Sequence, residues 1–130
     1  MGIKYLWDTN TAIYFLQQQF PKHAEKIIDK SLKEGQPCIS AITEIELLCW
    51  KAASQKDLEA INLFISNVLV IEIEQDIKIK TVDIRKKYKI KLPDAIIAAT
   101  ALVYDLTLIT RNITDFKNIT ALKTLDPYNQ

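Results

Sequence analysis

The chain has 130 residues, 48% of them hydrophobic and 25% charged, with a formal net charge of +1. That is an ordinary globular balance at the size of one domain, long enough to bury a core without disulfides or metals to staple it. Near-neutral charge excludes a strong whole-molecule field toward nucleic acid or membranes, so any such partner must be met by a local patch.

Ile3 to Trp7 is a short β-type run and reads as a strand. A helical period opens near Asn10 in TAIYFLQQQ, and after Pro21 a second helix, HAEKIIDKSLKE, runs to Gly35 as its C-cap. Cys38 to Ser40 is a brief strand. An apolar helix follows over Ala41–Ala53, then an amphipathic one over Asp57–Ser66 with Leu58, Ile61, Leu63 and Phe64 expected to face inward. Val68 to Ile73, a continuous Val/Leu/Ile run until its last residues, reads as a strand covered on both faces. Gln75 to Lys87 is helical, Asp94 to Tyr104 is an almost wholly apolar helix begun at Pro93, Leu106 to Thr110 is a strand, and Leu122 to Leu125 is the last one. Strands alternating with helices predict a single α/β domain over 1–130, with a mostly parallel central sheet and helices on both faces.

No apolar run reaches the roughly 18 residues of a bilayer span, and MGIKYLWDTN shows neither a basic leader nor a long apolar segment. A cytoplasmic protein with no membrane partner is therefore expected. Cys38 and Cys49 are too few for a disulfide framework or zinc site and read as small buried thiols. The lone histidine, His23, lies in a polar stretch and reads as a surface residue.

In an open α/β sheet, ligands gather at the carboxyl ends of strands, and three acids fall near such places. Asp8 follows the first strand, Asp115 follows the strand ending at Thr110, and Asp94 opens the buried helix. Each also has a structural explanation: Asp8 as an N-cap, Asp94 against the positive end of a helix, Asp115 as a turn residue. Glu46 falls among Ile42, Ile45, Cys49 and Trp50 when Ala41–Ala53 is drawn as a helix, whereas Glu44 points elsewhere. A carboxylate on a core-facing stripe is costly unless a charge or metal partners it. A buried salt bridge with Lys or Arg is the alternative.

With two glycines in the chain and no Gly-x-Ser-x-Gly or Cys-x-x-Cys, neither a phosphate-cradling loop nor a nucleophile elbow competes with this chemistry. Converging carboxylates invite a hard divalent cation, Mg²⁺ or Mn²⁺, and such a site suits in-line phosphoryl displacement.

YLWDTNTAIYFL, SAITEIELL (Ser40 to Leu48) and LPDAIIAATALVYDLTLITRNITDF (Leu92 to Phe116) resemble, in order and over nearly the whole chain, the motifs of PIN-domain ribonucleases of the VapC toxin type. The resemblance implies a PIN-like fold, an acidic cluster holding Mg²⁺ or Mn²⁺, and an endoribonuclease leaving 5′-phosphate and 3′-hydroxyl ends. It further implies a homodimer silenced by a cognate VapB-like antitoxin whose C-terminal segment lies across the active site. Carried over by position, Asp8, Glu46 and Asp94 are the core acids. The fourth acid falls at Asn112 or Asp115 in the family; here Asp115 is the acid, with Asn112 as a polar helper. Asn10, Thr43 and Thr110 are expected to support the site through hydrogen bonds. The family often places Gly soon after its Glu-Leu pair, where this chain has Cys49 and Trp50.

The basic stretch from Lys78 to Lys91 leads directly to Asp94. It is either a solvated helix face or an RNA-contacting one, with Arg85, Lys86 and Lys87 as candidates, and Tyr88 is placed to stack on a base. Arg111, beside the fourth acid, is a further candidate for a substrate phosphate. A phosphatase of the haloacid dehalogenase type would need a second acid where Asn10 stands. A non-catalytic PIN module, binding RNA or serving as a scaffold, is the alternative from another class, and the presence of all three core acids argues against it.

Overall fold

The computed structural model describes residues 3–51 and 54–129. Five strands, β1 (Ile3–Trp7), β2 (Gln36–Ser40), β3 (Leu69–Ile71), β4 (Thr107–Ile109) and β5 (Thr124–Leu125), form one sheet in the order β3-β2-β1-β4-β5. Every neighbouring pair is parallel. Seven helices connect the strands among the described residues: α1 (Thr9–Leu16), α2 (Lys22–Glu34), α3 (Ala41–Leu48), α4 (Gln55–Asn67), α5 (Gln75–Lys87), α6 (Leu92–Val103) and the short α7 (Ile113–Phe116).

Alternation along the central strands divides the core in two. Leu6, Cys38 and Leu108 face a cluster made with Ile77 and Ile84 of α5, Ala95, Ala98 and Ala99 of α6, and Phe116 of α7. Their neighbours Trp7, Ile39 and Ile109 face the opposite cluster, with Ala12, Ile28, Leu47, Ile61 and Phe64 from α1 to α4. Successive strand side chains point to opposite faces, so a parallel sheet with two buried faces must be apolar at consecutive positions. The small alanines of α6 let its backbone come close to the sheet, which accounts for a helix nearly free of charge.

Several expectations need correction. The helix expected over Ala41–Ala53 ends at Leu48 with Cys49 as its cap, and Ala52 and Ala53 lie outside the described residues. Its buried side is Ala41, Thr43 and Leu47, while Ile45 and Cys49 are exposed. The supposed core stripe around Glu46 is therefore a flank. Leu58 and Leu63 of α4 likewise face outward, leaving Ile61 and Phe64 to anchor that helix. The strand expected over Val68–Ile73 is three residues long and sits at the sheet edge, where Leu69 and Val70 are only half-buried. Gly35 does cap α2, but in extended backbone rather than a left-handed turn. Cys38 is buried and donates to the Tyr5 carbonyl at 3.0 Å, and burial pushes its thiol up to about 12. No helix of the described residues is long and apolar enough to cross a membrane.

Candidate active site

The strand order creates the site. From β1 the chain crosses outward through β2 to β3, then returns to the other side of β1 for β4 and β5. The reversal between β1 and β4 is a topological switch point, where connections leaving two adjacent strands diverge and open a crevice at their carboxyl ends. Trp7 pairs with Ile109 in register, so the residues that follow, Asp8 and Thr110, meet there.

Asp8 is both an N-cap and a buried acid. One carboxylate oxygen accepts the Thr11 amide at 2.8 Å, which caps α1, and the other accepts the Thr110 hydroxyl. The Asp8 backbone amide donates to the Ile109 carbonyl at 3.2 Å, and the Thr11 hydroxyl donates to the same carbonyl at 2.9 Å. With 6% of its surface exposed, Asp8 is fixed from two strands and a helix end. Burial pushes its carboxyl above the usual range, the two threonines pull it back, and the charge of Glu46 adds to the rise.

Glu46 projects from the flank of α3 and is half-buried. Its Oε1 accepts the Thr9 hydroxyl at 2.6 Å, and that hydroxyl also lies 3.1 Å from Thr43 Oγ1. No Lys or Arg among the described residues forms an ion pair with it, which removes the salt-bridge alternative.

Asp94 sits in the first turn of α6, after Pro93 has set the helix start. Burial raises its carboxyl, and so do the charges of Asp115, Asp8 and Glu46, in that order, while Lys91 opposes them. Four acids carried by four different elements, the Asp8 cap, α3, α6 and α7, thus meet in a common field at Asp94. Asp115 lies in α7 and accepts the Asn112 side-chain amide at 2.6 Å. The Asn112 backbone amide donates to the Thr110 hydroxyl at 3.0 Å. Thr110 therefore links the Asp8 corner to the Asn112–Asp115 corner.

The remaining candidates divide. Thr43 and Thr110 lie inside this network, whereas Asn10 is exposed and takes no part in it. Thr9 is the side chain that reaches Glu46, and sequence reasoning missed it. Its place as the first helical residue after the Asp8 cap was legible, but the packing of α1 on α3 brings it to Glu46. Arg111 lies over the Tyr128 ring at 4.2 Å, and Tyr128 is steadied by ring contacts with Tyr14 and Phe20. Arg85 donates to the Ile90 carbonyl at 2.6 Å, Lys87 pairs with Asp83 at 3.4 Å, and Lys86 is exposed on α5. His23 is exposed, with its ring Nε2 3.0 Å from the Tyr128 carbonyl.

Among the described residues, no three His, Cys, Asp or Glu side chains stand close enough together to form a ready-made ion cage. Asp94 is within electrostatic reach of Asp115, Asp8 and Glu46. The donors are all carboxylate, hydroxyl or amide oxygens, a set suited to a hard cation rather than to zinc or copper.

The PIN-domain profile matches residues 5–122. The chain belongs to the PIN-domain family. Within it, the chain is of the VapC toxin type, a nuclease class. It is 29% identical over 132 residues to the tRNA(fMet)-specific endonuclease VapC of Salmonella typhimurium, covering 95% of this chain and 98% of that protein. Among solved structures, this PIN domain superposes on a chain of a toxin–antitoxin complex from Klebsiella pneumoniae with a TM-score of 0.80 and 35% identity, covering 98% of this chain and 100% of that one. A DNA-bound VapBC from Salmonella typhimurium gives a TM-score of 0.81 at 27% identity, covering 96% of this chain and 98% of that one.

Proposed function

We propose that this PIN domain is a Mg²⁺- or Mn²⁺-dependent endoribonuclease, the toxin of a toxin–antitoxin pair, with Asp8, Glu46, Asp94 and Asp115 as its working acids. The observation that carries the reading is the state of Asp94: burial raises its carboxyl, the charges of Asp115, Asp8 and Glu46 add to the rise, and Lys91 is the cation that opposes them. A protein tolerates such a concentration of like charge where function requires it.

Asp8, Asp94 and Glu46 would hold the cation, with Asp115 adding negative charge beside Asp94. When bound, the ion supplies positive charge to the phosphoryl oxygens and acidity to a water nucleophile. The protein's own part is orientation. Thr11 and Thr110 orient the Asp8 carboxylate, and Thr9 orients Glu46, which limits how far these groups must turn to meet a cation. Asn112 holds Asp115 toward the same crevice. In-line displacement there yields 5′-phosphate and 3′-hydroxyl ends.

The relative from Salmonella is named for transfer RNA, and transfer RNA is the first substrate to test. The similar chain from Klebsiella belongs to a toxin–antitoxin complex, and a VapB-like antitoxin covering the crevice is the partner proposed for this one. The active form is a cytoplasmic homodimer.

The deciding experiment incubates the purified chain with transfer RNA in Mg²⁺, in Mn²⁺ and in excess chelator, beside Asp8→Asn and Asp94→Asn. Cleavage is expected in either metal and in neither variant. Cleavage that survives in chelator, or in both variants, would defeat the metal–carboxylate reading. RNA bound by the unaltered chain but never cut would leave a binding module instead.

A further inference from the structure

The nuclease reading places a scissile phosphate at the acids but says nothing about what holds the strand on either side. A cavity of about 390 Å³ adjoins the cluster, lined by Arg85, Lys89, Ile90, Lys91 and Asp115. We propose that this cavity is the subsite for the RNA phosphate neighbouring the one that is cleaved, an inference that rests on the nuclease reading above.

Three features favour it. First, the lining holds three cations against one carboxylate, in a protein whose overall charge is +1. Second, the segment is built to present those cations. Ile90 is buried in the α5–α6 cluster, which turns Lys89 and Lys91 on either side of it outward, and both are exposed. Arg85 spends one guanidinium hydrogen on the Ile90 carbonyl at 2.6 Å. That bond fixes the arginine in place while its other donors stay available for a planar acceptor. Third, the cavity shares a wall with the acids. Asp115 lines it, and Asp94 feels both Asp115 and Lys91. A phosphodiester strand crossing the boundary meets acids that require a cation on one side and bare cations on the other.

The assignment shifts the basic patch. Lys86 and Lys87 do not line the cavity, and Lys87 is engaged by Asp83. Lys89 and Lys91, closer in sequence to Asp94, replace them. A free anion would satisfy the same cations, but the shared wall with the acids favours a ligand that continues into the crevice.

The test compares Lys89→Gln/Lys91→Gln with Lys22→Gln/Lys26→Gln, a pair on the distant α2 that changes net charge equally. Both pairs are exposed, so both proteins should melt as the unaltered chain does. Binding of fluorescent single-stranded RNA by the full chain in chelator is measured from low to moderate salt. Each phosphate contact contributes about 0.7 to the slope of log affinity against log salt. The cavity pair, which serves one phosphate, should lower the slope by about 0.7 and raise KM in Mg²⁺, and the α2 pair should do neither. If the unaltered chain cleaves RNA and the cavity pair matches the α2 pair in slope and KM, the subsite is overturned and the nuclease reading stands. If the unaltered chain cleaves no RNA in either metal, the nuclease reading falls and the subsite falls with it.

Discussion

Thr110 makes the sharpest test of how the site is held together. It is fully buried, donates its hydroxyl to Asp8 and accepts the Asn112 amide at 3.0 Å. Thr110→Val keeps the shape and removes both bonds. A hydrogen bond to a charged group contributes about 1.5–3 kcal/mol and a neutral one about 1 kcal/mol, so the expected loss is about 2–4 kcal/mol at pH 8. A domain of this size is stable by roughly 5–15 kcal/mol, so the variant still folds. The loss should depend on pH. Asp8 is raised by burial and lowered by the Thr110 bond, so removing that bond raises it further. A carboxyl raised in the folded state binds more protons there than in the unfolded chain, so stability falls as pH rises from the unfolded value through the folded one. That fall should be deeper in Thr110→Val, so the penalty should shrink as pH falls and Asp8 takes up its proton, by roughly 1–2 kcal/mol once a neutral bond has replaced the charge-assisted one. Thr110→Ser keeps the hydroxyl and loses a buried methyl, at about 1 kcal/mol with no pH dependence. Urea unfolding of the metal-free proteins at pH 4.5 and 8 measures all three. Equal penalties for Val and Ser, or a Val penalty that is flat with pH, would refute the coupling.

Asp94→Asn should reverse the usual sign of a site substitution: it relieves the repulsion from Asp115, Asp8 and Glu46, so the metal-free protein should melt higher while RNA cleavage drops to the level seen in chelator. A melting temperature that falls would show that Asp94 is not held against its neighbours' charge. Mg²⁺ should raise the melting temperature of the unaltered chain, worth about 2.7 kcal/mol at a hundred-fold excess over its dissociation constant, and scanning calorimetry should find that gain missing in Asp94→Asn. Thr9→Val removes the 2.6 Å bond to Glu46 and should cost about 10–100-fold in metal affinity or activity, read by titrating cleavage with Mn²⁺. Cys49 is exposed, whereas Cys38 is buried with its thiol pushed up to about 12; a thiol reagent at pH 8 should therefore modify one group per folded chain, and none in Cys49→Ser.

The sequence by itself determined the alternation of strands and helices, because apolar periodicity and the positions of Pro and Gly are local properties. It also drew attention to Asp8, Asp94 and Asp115, since each stands where a strand ends or a helix begins. It singled out Glu46 for a reason that fails: an α-helical wheel assumes a buried side, and α3 buries Thr43 and Leu47 while Ile45 and Cys49 face out. The motif register selects the same residue, and Thr9 supplies the contact that the wheel could not. Only the tertiary structure decided which elements meet. The order β3-β2-β1-β4-β5 brings β4 beside β1, so Asp8 finds Thr110 across 102 positions of sequence. Lys89 and Lys91, on either side of the buried Ile90, line a cavity with Asp115, a juxtaposition the run of basic residues did not reveal. Local propensity cannot encode strand order or the direction in which a loop presents its charges. Those follow from closing two hydrophobic faces around one sheet, a property of the whole chain.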